Sequence, residues 1–285
     1  MTDTFHRILL NVQKPARYLG GEYNQIVKDR ADVDVRVAFC FPDTYEIGMS
    51  NIGMRILYGV MNEMEGVWCE RVFAPWGDME AEMRAHGLPL WALESHDPVS
   101  EFDLIAFTIG YEMSYTNILN MLDLAGVPLL AKEREGLENI VFGGGVCTVN
   151  PEPLADFFDF FSLGEGEDST REIVECYRAA KRAGKGKAEF LLDVAKIPGV
   201  YVPSLYEQTI LFRFAVILLA GCFGVPGLAC AALTILAMAC GSEPFGYDYL
   251  YPLLPPTHAS LRDGFVRSIW SRLAKSGEVI SRHEA

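Results

Sequence analysis

The chain has 285 residues, half of them hydrophobic, which is enough for one large domain or two smaller ones with a real core. Its 24 basic and 38 acidic side chains give a formal net charge of −14, which argues against a phosphate-binding groove and predicts no nucleic-acid partner. Aromatic residues make up 12% and charged residues 22%, which excludes a disordered chain. The seven cysteines, an odd number, do not make a disulfide scaffold, and no apolar leader precedes the first charged stretch. We therefore expect reduced thiols, no cleavable signal peptide and a cytoplasmic location.

The acidity is confined to the first part of the chain. Residues 1–212 carry 18 basic and 33 acidic side chains, whereas residues 213–285 carry 6 basic and 5 acidic ones. Residues 214–242 contain no charged side chain, and an uncharged run of this length is typical of a membrane segment. This change in charge and hydrophobicity along the chain predicts two domains, residues 1–206 and residues 207–285.

The first predicted domain alternates apolar runs with amphipathic stretches. The predicted strands cover residues 34–41, 67–74, 88–93, 103–109, 139–142 and 157–163, and predicted helices cover residues 77–86, 117–125 and 169–183. A further helix is predicted to be capped by Ser50 and to bury one face formed by Ile52, Ile56, Leu57, Val60 and Met64. Gly126 is predicted to end the helix before it. This alternation predicts an α/β fold, a parallel sheet with helices on both faces, whose ligands bind at the carboxyl ends of the strands.

Three loops that follow predicted strands are candidates for ligand binding: residues 43–48, 108–115 and 143–147. The third begins with Gly143, Gly144 and Gly145, which lack the Cβ atoms that would hold a ligand away from the backbone. A flat or phosphate-bearing ligand and a tight turn between strand and helix explain these glycines equally well. No G-x-G-x-x-G motif opens the first helix, so NAD binding is not predicted.

Several other side chains carry weaker signals. Glu165 and Glu167 follow the last predicted strand and could bind a ribose or an amide, although solvated carboxylates are the commoner case. Cys147 could act as a nucleophile, but no neighbouring base is visible, and a buried thiol is the simpler interpretation. The aromatic and acidic side chains of residues 111–115 either line the ligand crevice or pack. The five histidines show no metal-binding spacing.

Six segments resemble the N-terminal region of the cobalamin-binding-domain radical SAM proteins. They are KPARYLGGEYN (14–24), FPDTYEIGMSN (41–51), CERVFAPWGDMEAEM (69–83), ALESHDPVSEFD (92–103), YEMSYTNILNMLDLAGVPL (111–129) and NPEPLADFFDFFSLGEGE (150–167). The resemblance implies a flavodoxin-like cobalamin-binding domain. It also implies a following barrel in which a C-x-x-x-C-x-x-C motif holds a [4Fe–4S] cluster that cleaves S-adenosylmethionine. The cofactor-binding residues it implies are Asp43, Tyr45, Gly48, Gly143, Gly144 and Gly145. Thr108 and Glu165 are added to the predicted cofactor-binding residues because they lie at the ends of predicted strands.

The chain departs from this family pattern in two places. Where cobalamin-binding domains carry Asp-x-His-x-x-Gly, this chain matches at Asp43 and Gly48 but has Tyr45 at the histidine position. A phenol, with an ordinary pKa near 10, is a poor cobalt ligand, so cobalamin, if it binds, is expected to bind without a histidine lower ligand. No three cysteines have the cluster spacing, so we expect neither the cluster nor S-adenosylmethionine cleavage from this chain. The first domain is thus predicted to be the cofactor-binding part of an enzyme without its catalytic part.

The second predicted domain begins with an apolar stretch that Gly221, Gly224, Pro226 and Gly227 interrupt. A kinked spanning helix, a re-entrant hairpin and a buried hairpin of a soluble protein all remain open, with membrane association through residues 211–241. The part of the chain from about residue 210 to 275 resembles the C-terminal end of spore germinant receptor A-subunit membrane proteins, chiefly in the stretch PFGYDYLYPLLP (244–255). Basic residues beyond position 260 favour a cytoplasmic tail. Two unrelated partial families in one chain suggest a fusion or a join artefact. The rival hypothesis is a membrane-anchored, spore-germination-type component.

Overall fold

The computed structural model describes residues 2–206, so the predicted second domain with its hydrophobic hairpin lies outside the described residues. The strands are β1 (Val35–Phe41), β2 (Val67–Phe73), β3 (Leu104–Thr108), β4 (Ile140–Gly144), β5 (Phe160–Ser162) and β6 (Val200–Tyr201). The helices are α1 (Thr2–Leu9), α2 (Tyr45–Ser50), α3 (Ile52–Asn62), α4 (Gly77–His86), α5 (Tyr115–Ala125), α6 (Gly166–Arg182) and α7 (Lys187–Val194).

The six strands form one sheet in the order β2-β1-β3-β4-β5-β6. The first five are parallel, and β6 pairs antiparallel with β5. In the register, Val37 of β1 lies between Cys69 of β2 and Leu104 of β3. The chain therefore runs from β1 to β2 on one side and then crosses back to β3 on the other. The predicted α/β fold with a mostly parallel sheet is confirmed, and the short antiparallel strand adds to it.

Helices cover both faces of this sheet. Ala38 and Cys40 of β1 belong to a core that includes α1, α4 and α5. Val37 and Phe39 point to the opposite core, which α3, α6 and α7 complete. Because side chains alternate along a strand, a sheet buried on both faces requires strands that are apolar throughout. This explains why the central strands were visible as continuous apolar runs.

The start of α3 differs from the prediction. Its cap is Asn51, whose side-chain oxygen accepts a hydrogen bond from the Met54 N–H at 2.9 Å. The hydroxyl of Ser50 instead donates to the carbonyl oxygen of Ile47 at 2.7 Å, within the preceding helix. The prediction that Ser50 caps this helix is therefore wrong. The predicted end of α5 is confirmed, because Gly126 follows it with φ 69°.

The predicted buried face of α3 is wrong in part: Met64 is buried and Leu57 packs against the core, but the face begins elsewhere. Ile52 is 71% exposed and Ile56 is exposed as well, whereas Met54, Tyr58 and Met61 are buried. The helix carries two apolar stripes, and the stripe with Met54 packs in the core that contains β1 and β2. Tyr58 also accepts a hydrogen bond from the Ile26 N–H at 2.8 Å, a distant contact that its neighbours in sequence do not reveal.

Residues 88–93 do not form the predicted strand. Trp91 makes only an isolated bridge with Pro98, and the segment covers the outer edge of β2. The Leu93 N–H donates to the Arg71 carbonyl oxygen at 2.9 Å, and the Glu94 carboxylate accepts from the Arg71 N–H at 2.7 Å. These contacts satisfy polar groups that an edge strand would otherwise leave unpaired.

A segment of the N-terminal region, residues 14–30, crosses the same side of the domain, and we call it the strap. The Trp68 indole N–H donates to the carbonyl oxygen of Ile26 at 3.1 Å. The Lys28 ammonium donates to the carbonyl oxygen of Asn62 at 2.7 Å, at the end of α3. The strap therefore packs as part of the same domain as the sheet.

Candidate functional site at the carboxyl edge of the sheet

The strand order places a switch point between β1 and β3. After β1 the chain turns toward β2, and after β3 it turns the other way, toward β4. In open parallel sheets, ligands bind in the crevice where such connections diverge, outside the carboxyl ends of the strands. Residues 42–44 and residues 109–114 are the two loops at this point, and we call the space between them the switch-point crevice.

A hydrogen bond joins the two loops. The Tyr111 hydroxyl donates to Oδ2 of Asp43 at 2.6 Å, while the Thr44 N–H donates to Oδ1 at 2.7 Å. A second link runs from the Asn117 side-chain amide to the Pro42 carbonyl oxygen at 2.9 Å. The bond to the Asp43 carboxylate raises the pKa of Tyr111, because it stabilises the protonated phenol. Asp43 and Tyr111 thus meet across the crevice.

Tyr45 is engaged within the protein. Its hydroxyl donates to Oε1 of Glu22 in the strap at 2.9 Å, and its ring contacts the Phe73 ring edge-on at 5.4 Å between centroids. Burial and the nearby Glu22 carboxylate raise the pKa of Tyr45 to about 12. A phenol that stays protonated and donates to a carboxylate does not fit the role of a cobalt ligand. A cobalamin bound through a side chain at this position therefore does not fit this site.

Gly48 is required by packing inside α2. A Cβ atom at this position would lie 2.2 Å from Cε1 and 2.6 Å from Cδ1 of Phe73, well inside van der Waals contact. The glycine lets α2 lie directly against the end of β2. The space that a side chain at position 48 would take is occupied by the Phe73 ring.

The triple glycine also packs against protein atoms. A Cβ at Gly143 would lie 2.6 Å from Cδ1 of Ile109, and one at Gly145 would lie 2.7 Å from the Ile109 carbonyl oxygen. Gly145 also has φ 114°, a conformation that side chains disfavour. At Gly144, by contrast, the nearest such contact is an ordinary 3.7 Å, and its register partner is the half-buried Thr108.

The loop after β3 lies between the first and third candidate loops. The Ile109 N–H donates to the Gly144 carbonyl oxygen at 2.7 Å, and the Cys147 N–H donates to the Ile109 carbonyl oxygen at 3.1 Å. Residues 109–111 therefore contact both the triple-glycine loop and Asp43. Glu165 is exposed on the loop after β5, beyond the triple glycine in the strand order.

The segments after the first four strands also carry exposed apolar side chains, of which only Tyr111 was predicted to line the ligand crevice. Met113 is 84% exposed and Val146 is 72% exposed, although a soluble surface usually carries polar residues at such positions. We call this set the apolar rim: Ile47, Trp76, Tyr111, Met113, Val146 and Val149. Exposed apolar residues at the edge of a sheet where ligands bind are candidates for a binding surface. Their exposure depends on the packing of distant elements, so local sequence did not reveal it.

A buried charge network connects the segment after β1, residues 43–48, to β2. The Arg71 guanidinium donates from Nε to Oε1 of Glu94 at 2.6 Å and from Nη2 to Oε2 of Glu22 at 2.8 Å. Burial raises the pKa of Glu94 to about 7, against the opposing effect of Arg71. Because Glu22 also accepts from Tyr45, the network ties α2 to β2 through the strap.

Iron–sulfur ligation finds no support in the described part of the chain. Among residues 2–206, no three histidine, cysteine or acidic side chains converge as a metal site. Cys40 and Cys69 are buried in β1 and β2, and burial raises the pKa of both thiols. Burial raises the pKa of the Cys147 thiol as well.

None of the helices within residues 2–206 combines the length and the apolar character that a membrane span requires.

These features define a doubly wound α/β domain whose carboxyl edge combines a switch point with an apolar rim. The family model for the N-terminal region of radical SAM proteins matches residues 53–203, more than half of the chain. The chain belongs to this family.

Two further comparisons extend this result. The family model of the Bacillus/Clostridium GerA spore germination protein matches residues 195–278, so both resemblances noted in the sequence are confirmed. An uncharacterized protein of Methanocaldococcus jannaschii, MJ0966, is 26% identical over 136 residues, which cover 47% of this chain and 24% of that protein. The alignment thus spans about a quarter of the relative's length. No solved structure matches the chain.

Proposed function

We propose that the first 206 residues are the cofactor-binding part of a radical SAM protein. In this proposal they form a flavodoxin-like domain that binds cobalamin at the switch-point crevice, with no protein side chain ligating the cobalt. The observation that carries the proposal is the apolar rim, whose exposed residues follow strands β1 to β4 and so lie toward the carboxyl edge of the sheet, where doubly wound folds take their ligands.

The chemistry of the rim suits a corrin. A corrin is a broad, flat ring whose edge carries amide groups, so it needs apolar contact over its face and hydrogen-bond partners around it. Met113 and Val149 are exposed and supply apolar surface, while the Asp43 carboxylate and the Thr108 hydroxyl supply hydrogen-bonding groups beside it. Gly144 leaves room for a ligand group to approach the backbone.

The catalytic step is proposed to belong to another part of the enzyme. Bound cobalamin supplies group transfer at cobalt, whereas radical chemistry needs a cluster that cleaves S-adenosylmethionine. Residues 2–206 hold no converging cysteines for that cluster. The role left to this domain is to bind the cofactor and orient it at the sheet edge.

Equilibrium dialysis of the full chain against hydroxocobalamin tests the proposal. The wild type is expected to retain the corrinoid, and Met113→Asp is expected to weaken its binding at least tenfold, because a carboxylate would lose its hydration under the ring. Leu192→Asp is the matched control: Leu192 is also exposed, but it lies on α7 and not in a loop that follows a strand. No retention at millimolar corrinoid, or equal weakening by both variants, would remove the proposal.

A second candidate is a membrane-anchored, germination-type component whose acidic head faces the cytoplasm. The match of residues 195–278 to the GerA germination family supports it, together with the absence of charged side chains from residues 214–242. Flotation of the full chain with phosphatidylglycerol vesicles tests this candidate. Anchoring predicts that the chain rises with the lipid in high salt, and a chain that stays in the dense fraction contradicts it.

A further inference from the structure

The loop after β3 is anchored at both ends and exposed between them. Ile109 and Ser114 are 1% and 0% exposed, and they bracket a stretch in which Tyr111 is 42% and Met113 is 84% exposed. A Cβ at Gly110 would meet nothing within 4 Å, so the backbone enters this stretch through open space. The Ser114 hydroxyl donates to the Tyr111 carbonyl oxygen at 2.7 Å, which holds the backbone of the stretch, while the Tyr111 side chain is exposed and has room to rotate.

Tyr111 ties this stretch to the opposite loop. Its hydroxyl donates to Oδ2 of Asp43 at 2.6 Å and the Thr44 N–H donates to Oδ1, so each carboxylate oxygen already accepts one hydrogen bond. A ligand amide that approaches Oδ2 from the side of the loop after β3 therefore competes with the Tyr111 hydroxyl for that position. The same phenol also bridges the two loops between which a ligand would enter.

We propose that Tyr111 is a latch that holds the switch-point crevice closed and releases Asp43 when a bulky ligand enters. The ligand part of this inference rests on the proposed function. Release exchanges one hydrogen bond for another: the phenol turns to solvent, and Oδ2 of Asp43 accepts from a ligand amide instead. No covalent bond changes, and neither group needs to change its protonation.

The latch has a measurable consequence for affinity. A protein whose binding-competent state is a minor fraction binds its ligand more weakly by that fraction. A hydrogen bond to a charged acceptor contributes enough free energy to keep the open state, in which Tyr111 has released Asp43, at roughly a tenth or less of the population. Tyr111→Phe deletes the bond and keeps the ring, so it is expected to tighten hydroxocobalamin binding about tenfold.

Hydrogen exchange of the full chain tests the latch without any ligand. Tyr111→Phe is expected to speed amide exchange in residues 42–48 and 109–115 and to leave the β1 and β3 strands unchanged. Tyr23→Phe is the matched control, because Tyr23 is a fully exposed tyrosine of the strap. Unchanged exchange in both loops of Tyr111→Phe overturns the latch, whatever the ligand result.

Dialysis against hydroxocobalamin then separates the latch from the proposed function. Faster loop exchange with tighter binding supports both. Faster loop exchange with no binding by wild type or variant keeps the latch and rejects cobalamin as the ligand. Faster loop exchange with weaker binding overturns the gating role, because Tyr111 would then be a ligand contact.

Discussion

Replacing Gly48 with alanine tests whether this residue serves the fold of the site. The added Cβ would lie 2.2 Å from Cε1 of Phe73, whereas carbon atoms in contact normally stay about 3.5–4.0 Å apart. The Phe73 ring has little freedom to retreat, because it is 8% exposed and contacts the Tyr45 ring. Overpacking of this kind costs about 1–3 kcal/mol. The better helix propensity of alanine returns up to about 1 kcal/mol, so we expect a net loss of about 1–2 kcal/mol.

Gly59 offers the matched control for Gly48→Ala. It lies in α3, and a Cβ there would meet nothing within 4 Å. Gly59→Ala should therefore stabilise the protein by about 0.5–1 kcal/mol through the unfolded chain and the helix. Urea unfolding should separate the two variants by about 1 M in midpoint, for a slope of about 2 kcal/mol per molar.

A double variant identifies the cause of the loss. If the ring causes the clash, adding Gly48→Ala to Phe73→Ala should cost little further, because alanine at position 73 lacks both ring carbons that a Cβ would meet. Gly48→Ala that matches Gly59→Ala in stability would refute the packing argument. It would leave close approach of a ligand as the reason for glycine.

Three further outcomes follow from the buried charges and from Tyr45. Asp159 accepts from the Arg134 guanidinium at 3.0 Å with both side chains almost fully buried, so Asp159→Asn should lower the free energy of unfolding by about 3–5 kcal/mol in urea titration. A loss under about 1 kcal/mol would contradict a buried charge pair. The pKa of Glu94, raised to about 7 from 4.5, means that the neutral carboxyl favours the fold below pH 4.5 and that this contribution disappears as the pH rises through 7. The free energy of unfolding of Glu94→Gln should therefore rise by about 2–3 kcal/mol relative to that of the wild type as the pH is raised from 5 to 8. If the two free energies change in parallel with pH, this carboxyl does not titrate in that range. Tyr45→Phe deletes the bond to Glu22 and should lower stability by about 1–2 kcal/mol, with the spectrum of added hydroxocobalamin identical to that with the wild type. A changed spectrum would identify Tyr45 as a cobalt ligand.

The parts of the fold that the sequence predicted depend on local signals. The strands β1 and β3 are buried on both faces, so their apolar runs identify them without knowledge of their neighbours. The bounds of α4, Gly77–His86, match the prediction because Gly87 follows it in a left-handed turn with φ 64°.

The elements that the sequence missed depend on distant contacts. Residues 43–48 were expected to be a loop, but Tyr45 begins α2, a helix of six residues that contains a glycine. Its propensity is low, and contacts from the strap hold it: the Arg17 guanidinium bonds to Glu46 at 2.9 Å, and Glu22 accepts from Tyr45. The two-residue β6 and the eight-residue α7 were missed because neither is long enough to show a clear period.

The candidate site was predictable in position but not in detail. The strand–loop pattern placed Asp43 and the triple glycine at the carboxyl edge, because every parallel strand ends there. The packing partners of these residues were not visible in the sequence. Gly143 packs against Ile109, and Asp43 bonds to a tyrosine 68 positions away, which only the assembled sheet brings together.

Hydrogen exchange of the full chain with and without hydroxocobalamin tests the central claim most directly. If the corrinoid binds at the switch-point crevice, exchange should slow in residues 42–48, 109–115 and 144–150, the segments after β1, β3 and β4, and stay the same on α7. Protection confined to other segments, or none at a corrinoid concentration that saturates dialysis, would contradict a cobalamin site at this edge of the sheet.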